Sequence, residues 1–517
     1  MSSLSASPIP LFKLRVEEKG KIRDIKEIIA RIEGLPTCLN GQIVDFGDDV
    51  RGIIMGFDEQ DVLALVLGDR NKLRLGKNVS GVSEPFRIPV GDRLLGRMIT
   101  ALGEPCDQAG PIETSDKRPV FMDSPPIVQR ATVYEFLPTG TKIADTLTPL
   151  AKGQRLLILG DRMTGKTTIG ADAILAQQDR NTICLYCAIG KSMSALERIT
   201  SLLHDRNALD YSLIVAATDN APVGEQYLVP YTAASVADWF ASKGRDVLVV
   251  FDDLTKHAWA YRQLSLLLER PPGREAYPGD IFYVQTQLME RAGRFNEQRG
   301  GGSLTFLGIA ETLQGDLTGY IPSNLASMCD GQITMSASLF AEGMRPAVDV
   351  LLSLSIIGGR AQPPALKALA ADIRADFARY SEVVKLSKLQ SGLSGEAEQI
   401  VRRGQAILTV FQQNEHQTVG IAELAILLYA LRQDALIALD ETTRKKFVRE
   451  VFPFALAQFP DTVATIEEKP EWNPDVEQRL AAIVNGMLES LGANASEAPE
   501  AAEGGEAEGG EEVSGNQ

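Results

Sequence analysis

One eight-residue segment restricts the fold of this 517-residue chain more than any other feature of its sequence. The segment reads GDRMTGKT, from Gly160 to Thr167, and matches the pattern G-x-x-x-x-G-K-[ST]. It follows the apolar run RLLIL and leads into the helical run TTIGADAILAQQ, which is the strand–loop–helix context of a phosphate-binding loop, or P-loop. The sequence therefore predicts an α/β domain that binds a nucleoside triphosphate.

The residue types of this loop suit the chemistry of phosphate binding. Glycines let backbone N–H groups turn towards phosphate oxygens, and the following helix presents its positive end to the same anion. Lys166 is expected to reach the terminal phosphates, and the hydroxyl of Thr167 is expected to bind Mg²⁺. The candidate nucleotide-binding residues are Gly160, Asp161, Arg162, Met163, Thr164, Gly165, Lys166, Thr167 and Thr168.

A second candidate magnesium ligand follows another apolar run. The segment DVLVVFDD ends in Asp252 and Asp253. An acidic side chain at the end of a buried strand beside a P-loop is the expected partner of the magnesium ion. We therefore predict Thr167 and Asp252 as the metal site.

Hydrolysis needs more than binding, because a group must orient the attacking water. One natural place for such a group is the end of the next strand, where the sequence reads AIGKS with Lys191 at its fourth position. A lysine does not act as a general base unless its pKa is strongly depressed, and this loop contains no Glu. The residues alone therefore predict nucleotide binding but not turnover.

The apolar patterning divides the chain into three folded regions flanked by two ends. Residues 20–89 contain short apolar runs separated by Gly, Asp and Asn, which indicates a small barrel or sandwich. Residues 90–370 alternate strand-like runs with helical patterns, which favours a parallel sheet, and residues 371–492 are mostly helical in pattern. Residues 1–19 form a short extension, and residues 493–517 are predicted to be a disordered acidic tail. The strand-like runs are RLLILG, TICLYCAIG, LIVAAT, DVLVVFDD, IFYVQT and SLTFLGIA.

The charge of the chain excludes some partners. The net charge is −16, and the segment from Glu497 to the end contains seven Glu with no Lys or Arg. Nucleic-acid binding needs a basic surface, so an acidic chain argues against nucleic acid as a main partner. The sequence shows neither a membrane-spanning apolar run nor the plan of a signal peptide, so we expect a cytosolic or equivalent location.

The cysteines and histidines do not form a metal-binding pattern. Cys184 and Cys187 lie three positions apart in a predicted strand, so their side chains are expected on opposite faces as buried apolar groups. A redox or zinc pair is the alternative. His204, His257 and His416 show no ligand spacing and are interpreted as structural.

Several long segments resemble the α subunits of F-type rotary ATP synthases. The P-loop is similar to the variant found in those subunits, and the similarity extends from about Gly20 to Leu491. The matching segments are PVGDRLLGRMITALGEPCD, FDDLTKHAWAYRQLSLLLERPPGREAYPGDIFY, ETLQGDLTGYIPSN, SMCDGQI and GMRPAVDV.

The resemblance implies a multidomain α+β fold. Its parts are an N-terminal β-barrel, a central P-loop (RecA-like) α/β nucleotide-binding domain and a C-terminal helical bundle. It also implies a regulatory subunit that binds ATP or ADP with Mg²⁺ but turns it over little. Such a subunit belongs to a ring of three α and three β subunits that couples ATP synthesis or hydrolysis to proton or sodium transport.

The expected partners are the β, γ and peripheral-stalk or δ subunits together with a membrane-bound ion-channel sector. These partners would hold the chain peripherally on the cytoplasmic face of the cell membrane. By motif match, Phe340 and Arg345 flank the adenine, with Gln413 contributing from the helical region. The alternatives for these three residues are a core aromatic, a salt-bridged Arg and a surface Gln.

The family pattern breaks at one position that bears on catalysis. The α subunit of the family reaches into the neighbouring β site with an arginine in a segment S-V-S-R-V-G, which here reads SLSIIG from Ser353 to Gly358. The arginine position is therefore Ile356, with Ser353 as a further interface candidate. A trans-acting arginine is worth about 10³–10⁵ in rate, so we hypothesise impaired catalysis unless another cation substitutes. Arg360 is the candidate substitute, and a surface or interface Arg is the alternative interpretation.

Two other functions remain open at this level. A P-loop ring ATPase that moves nucleic acid or exported protein shares the same core, although the acidic chain argues against nucleic acid. A divergent paralogue with a scaffolding role is the other alternative. The proteins that co-purify with the chain would distinguish these functions from that of a synthase subunit.

Overall fold

The computed structural model describes residues 18–48, 50–58, 60–387 and 395–492. The predicted acidic tail and nearly all of the predicted N-terminal extension lie outside these residues. The first described region is a closed barrel of antiparallel strands in the order β1-β2-β5-β4-β3-β6. Its strands are Glu18–Lys26 (β1), Ile29–Gly34 (β2), Gln42–Gly47 (β3), Val50–Phe57 (β4), Asp61–Leu67 (β5) and Asn78–Pro85 (β6).

Apolar side chains that alternate along the strands fill the interior of the barrel. Ile22, Ile32, Val44 and Ile54 point into its interior and are fully buried, as expected where a small barrel is filled by its own side chains. The strand β5 is buried along its whole length, because its outer face also packs on the next region. Of the two sequence alternatives, barrel or sandwich, the structure is a barrel.

The second region is built around a large twisted sheet. Its elements, in chain order, are Arg87–Val90 (β7), Met98–Thr100 (β8), Asp116–Pro119 (β9), Phe136–Leu137 (β10), Lys142–Leu147 (α1), Leu150–Ala151 (β11), Arg155–Gly160 (β12), Lys166–Leu175 (α2), Thr182–Lys191 (β13), Met193–Asp205 (α3), Ser212–Thr218 (β14), Val223–Ser242 (α4), Asp246–Asp252 (β15), Leu254–Leu267 (α5), Ile281–Met289 (α6), Gly293–Arg294 (β16), Ser303–Glu311 (β17), Tyr320–Met328 (α7), Gly331–Met335 (β18), Ala337–Ala341 (α8), Val348–Ser355 (β19), Gly358–Ala361 (α9) and Pro364–Leu369 (α10).

The order of the strands brings the carboxyl ends of β12, β13 and β15 to the same side of the sheet. The sheet runs β19-β18-β12-β17-β15-β13-β14-β8, with β16 beside β17, and its central neighbours are parallel. The central strands are buried at almost every position because helices cover both faces. The carboxyl ends of β12, β13 and β15 therefore meet at the same edge of the sheet, where ligands bind in open α/β folds.

One strand prediction was wrong. The run IFYVQT is not a strand but the start of helix α6, Ile281–Met289. Its buried residues are Ile281, Val284, Gln285, Leu288 and Met289, a spacing of three and four that matches a helix rather than the alternation of a strand. A short apolar run bounded by Pro and Gly does not by itself distinguish the two.

The third region is helical. Its elements are Ile373–Ser387 (α11), Gly395–Phe411 (α12), Ile421–Arg432 (α13), Glu441–Gln458 (α14), Pro460–Glu468 (α15) and Pro474–Ser490 (α16). The helix α13 is buried on nearly all sides, since the other helices of the region surround it. No helix among the described residues combines the length and the apolar character that crossing a membrane requires.

Two of the three apolar cores connect regions, and the third lies inside the barrel. One core joins one face of the large sheet to the helical region, and a second core joins the opposite face to the barrel. Cys184 belongs to the first core and Cys187 to the second, so the two thiols lie on opposite faces of β13 as the sequence predicted. The boundaries drawn from the sequence at residues 89, 370 and 492 remain predictions.

Candidate nucleotide-binding site

The phosphate-binding loop connects β12 to α2. Gly165 precedes the helix with a φ of 95°, a left-handed backbone conformation that favours glycine. The Nζ of Lys166 donates a hydrogen bond to the backbone oxygen of Asp161 at 2.6 Å, and the hydroxyl of Thr164 donates to the same oxygen at 2.9 Å. Two side chains of the loop thus donate hydrogen bonds to one carbonyl of the same loop.

A neighbouring segment holds the loop in place. The carboxylate of Asp161 accepts a hydrogen bond from the hydroxyl of Thr312 at 2.7 Å and another from the backbone N–H of Gly315 at 2.9 Å. The Nε of Arg162 lies 3.0 Å from the carboxylate of Glu311. These contacts come from the end of β17, at Glu311, and from the residues that follow it. Because β17 is the strand beside β12, the pairing of the two strands places these residues next to the loop.

Lys166 is buried, with only 7% of its surface exposed. Burial lowers the pKa of its ammonium, while the carboxylates of Glu311, Asp253 and Asp252 act in the opposite direction. A positive charge held in this position is available to an anionic ligand, because phosphate oxygens would compensate for the lost water. Met163, in contrast, is 89% exposed and points away from the interior.

The two predicted metal ligands are in direct contact. The hydroxyl of Thr167 donates a hydrogen bond to the Oδ2 of Asp252 at 2.7 Å. Asp252 is fully buried at the end of β15, and the hydroxyl of Tyr186 donates to the same oxygen at 2.8 Å. One hydroxyl and one carboxylate form an oxygen donor set that fits Mg²⁺, which takes its remaining ligands from water and phosphate.

Lys191 completes this group. It is the last residue of β13, and its Nζ lies 2.6 Å from the Oδ1 of Asp252 and 3.4 Å from the hydroxyl of Thr167. The adjacent Asp253 is also buried, and its burial together with the charge of Asp252 raises its pKa to about 6. The side chain of Asp253 accepts a hydrogen bond from the Lys256 N–H and caps α5.

A cavity next to the loop brings together the predicted adenine residues. Its empty space, including the part that is open to solvent, is about 410 Å³. The guanidinium of Arg345 lies 3.5 Å from the centre of the Phe340 ring and donates to the Phe340 carbonyl at 2.6 Å. The residues around the cavity include Thr164, Gly165, Thr168, Asp172, Phe340, Arg345, Gln413, Asn414 and Glu415.

Gln413 joins the helical region to the sheet region. Its side-chain oxygen accepts from the backbone N–H of Lys142 at 2.8 Å, and its side-chain nitrogen donates to the Gly140 carbonyl at 2.7 Å. Its own backbone N–H donates to the Arg345 carbonyl at 2.8 Å. The polar groups of its side chain are therefore committed within the chain, although the residue borders the cavity.

His416 has a partner that sequence spacing did not indicate. Its Nδ1 lies 2.9 Å from the Oδ1 of Asp172, a residue of α2 that borders the cavity. The two residues are far apart along the chain, so only the packing of the helical region on α2 brings them together. His257 is fully buried against the ring of Tyr227, and burial lowers its pKa to about 4. His204 is exposed beside Asp205.

The three interface candidates lie at and beyond the edge strand β19. Ile356 is 71% exposed, and its N–H donates to the Asp330 carbonyl at 2.9 Å. Arg360 is exposed on the short helix α9. Ser353 is buried, and its hydroxyl donates to the Asp349 carbonyl and accepts from the Thr334 N–H. The interface roles of all three residues stay predictions.

Three domains of one known protein family match most of the chain. The beta-barrel domain of the ATP synthase alpha/beta family matches residues 15–81, and the nucleotide-binding domain of that family matches residues 140–355. The C terminal domain of the ATP synthase alpha/beta chain matches residues 362–487. These three matches follow the order of barrel, sheet and helical regions in the structure.

Individual relatives agree with these matches. ATP synthase subunit alpha of Clostridium acetobutylicum is 40% identical over 475 residues, which cover 92% of this chain and 94% of that protein. ATP synthase subunit alpha of Clostridium botulinum strain Hall is 39% identical over 489 residues, which cover 94% of this chain and 97% of that protein. With all three domains present in order and this identity over nearly the whole length, the chain belongs to the ATP synthase alpha/beta family.

Proposed function

We propose that this chain is the regulatory, nucleotide-binding α subunit of a rotary ATP synthase and that its own site does not catalyse hydrolysis. The observation that carries the proposal is the position of Lys191. Lys191 lies at the end of β13, where a group that orients the attacking water would be needed, and its ammonium is paired with Asp252 at the end of β15. An ammonium has no lone pair to accept a proton from that water.

The nearby carboxylates do not supply the missing base. Asp253 caps a helix, and Glu311 is bonded to Arg162 at the rim of the loop. Asp252 already accepts hydrogen bonds from Thr167 and Tyr186. The arrangement therefore favours a nucleotide that is held rather than consumed.

The bound molecule is ATP or ADP. Backbone N–H groups of the loop and the ammonium of Lys166 would bind its phosphates, while Phe340 and Arg345 would enclose the adenine in the adjoining cavity. Thr167 and Asp252 would hold Mg²⁺, which neutralises phosphate charge when it is bound. Gln413 would act through the Lys142 and Gly140 backbone, which it fixes at the mouth of the cavity.

The proposal extends to the assembly. The relatives are named as subunits, so we infer a ring of three α and three β subunits around a γ subunit, joined to a peripheral stalk or δ subunit. This ring would couple ATP synthesis or hydrolysis to proton or sodium transport through a membrane-bound ion-channel sector. The chain would lie peripherally on the cytoplasmic face of the cell membrane.

Ile356 supports a more specific version of the proposal. Its exposed aliphatic side chain stands where the family carries a trans-acting arginine, so phosphate oxygens in the neighbouring β site would lack that charge. We infer impaired multi-site catalysis in a divergent α subunit. In the reconstituted complex, Ile356→Arg should raise ATP hydrolysis, whereas Arg360→Gln would lower it if Arg360 is the substitute cation. No gain from Ile356→Arg would reject the idea.

A test of the assembly distinguishes the proposal from the two alternatives. The full-length chain is expressed in its native host with an affinity tag. It is purified under mild conditions that keep associated subunits bound. Recovery of β, γ and stalk subunits supports the synthase role. A homo-oligomer that hydrolyses ATP would support a ring motor, and a homo-oligomer without activity would support a scaffold.

A further inference from the structure

The contacts of Lys191 place a positive charge beside the two predicted metal ligands. Its Nζ lies 2.6 Å from the Oδ1 of Asp252 and 3.4 Å from the hydroxyl of Thr167. These are the same two side chains whose oxygens form the donor set for Mg²⁺. The lysine comes from a different strand, but β13 pairs with β15 in register up to Ala188 and Asp252, which brings its end beside the carboxylate.

The burial of Asp252 makes the positive charge of Lys191 important. Asp252 is fully buried, and a buried carboxylate requires a counter-charge close by. In a P-loop site the divalent ion normally supplies positive charge at this place. Here the chain supplies a cation itself, and 23% of the Lys191 side chain remains exposed.

We propose that Lys191 acts as a built-in cation that lets this site hold ATP without Mg²⁺. The ammonium would satisfy Asp252 and, through its remaining N–H groups, attract the phosphate oxygens that Thr167 faces. Lys166, the residue before Thr167, would contribute a second ammonium to the same anion. Mg²⁺ would still fit the site, but it would add little to the affinity.

This inference rests on the proposed nucleotide-binding function and deepens it. The two can fail separately, because the function requires only that ATP binds, whereas the inference concerns how much binding depends on the metal. The test uses the full-length chain freed of nucleotide and titrated with ATP by calorimetry. One titration contains excess EDTA, and the other contains excess Mg²⁺.

The parent chain is expected to bind ATP in EDTA within about tenfold of its affinity in Mg²⁺. Lys191→Gln should weaken binding in EDTA by about tenfold to a hundredfold, the range for losing a charged hydrogen-bonding partner, and should change binding in Mg²⁺ much less. Lys191→Arg keeps the charge and should keep most of the metal-independent binding. Lys243→Gln is the matched control, since Lys243 is exposed at the opposite edge of the sheet.

Each contrary outcome has one meaning. ATP binding by the parent chain in Mg²⁺ but not in EDTA would overturn the inference and leave the proposed function standing. Equal binding of the parent and Lys191→Gln in EDTA would also overturn it. No binding by the parent under either condition would reject the proposed function itself. The parent titrations need no variant, so they remain decisive even if Lys191→Gln does not fold.

Discussion

The Nδ1 of His416 lies 2.9 Å from the Oδ1 of Asp172, and this pair ties the P-loop helix to the helical region at the border of the nucleotide cavity. The hydrogen bond to Asp172 raises the pKa of His416, while Glu415 acts in the same direction and Arg206 in the opposite one. Burial raises the pKa of Asp172. The connection between the two regions is therefore sensitive to pH.

The sign of this sensitivity follows from the raised pKa of His416. The stabilisation is complete below the ordinary histidine pKa of about 6.5 and is lost as the pH rises through the raised value. His416→Gln should therefore lower the unfolding midpoint by about 1–2 °C near pH 6 and by much less near pH 9, since the shift per kcal/mol falls with chain length. Thermal unfolding of parent and variant at both pH values measures the difference. The same decrease at both pH values would show that His416 and Asp172 have no charge interaction. The control is His204→Gln, because His204 lies at an exposed site.

The second prediction concerns Lys166. Lys166→Met keeps much of the volume of the side chain but removes the ammonium that is proposed to bind the phosphates. The affinity for Mg-ATP should fall by about tenfold to a hundredfold, because a charge-assisted hydrogen bond is lost. The unfolding midpoint should change little, since the variant also relieves the burial of a charge. Calorimetric titration checks the affinity, and unchanged binding would place the phosphates elsewhere.

The third prediction separates adenine recognition from phosphate recognition. Phe340→Ala removes the ring that carries Arg345 and should weaken ATP binding by about tenfold, the scale of one base stacked on an aromatic side chain. Binding of inorganic tripolyphosphate should stay the same. Phe57→Ala, at a half-exposed phenylalanine of the barrel, is the control. Equal losses for both ligands would mean that Phe340 supports the loop rather than the base.

The fourth prediction uses two adjacent glycines near Ile356. A Cβ on Gly358 would lie 1.7 Å from the backbone oxygen of Pro149, whereas a Cβ on Gly359 would meet nothing within 4 Å. Gly358→Ala should destabilise the protein by about 1–3 kcal/mol, the usual range for overpacking a tight site. Gly359→Ala should be close to neutral. Chemical denaturation of the two variants measures the contrast, and similar stabilities would show that the backbone at Pro149 moves aside.

The sequence predicted those parts of the fold that depend on local patterns. The P-loop, the strand that leads into it and the buried strand that ends at Asp252 all have short-range signatures, and the structure contains them. The run IFYVQT failed because its residues suit both a strand and a helix, and only burial on a three- and four-residue spacing decides for the helix.

The missed features of the site depend on pairing between distant segments. No sequence spacing relates Lys191 to Asp252, because the order of the strands, β15 beside β13, creates that contact. The contact of His416 with Asp172 and the bonds from Gln413 to the segment around Lys142 arise in the same way, from the packing of the helical region against the sheet region. The available signal for the first of these two contacts was Asp172 itself, the one acidic residue in the helical run TTIGADAILAQQ.

The central claim is that this chain binds ATP at its own site without hydrolysing it. The most direct measurement is a single-turnover experiment, in which the full-length chain is loaded with radiolabelled ATP and Mg²⁺ in the absence of other subunits, and the bound nucleotide is separated at intervals. We expect the protein-bound nucleotide to remain ATP for as long as it stays bound, and we expect Lys166→Met to retain much less ATP. Conversion of the bound ATP to ADP faster than its release, and abolished by Lys166→Met, would contradict the account.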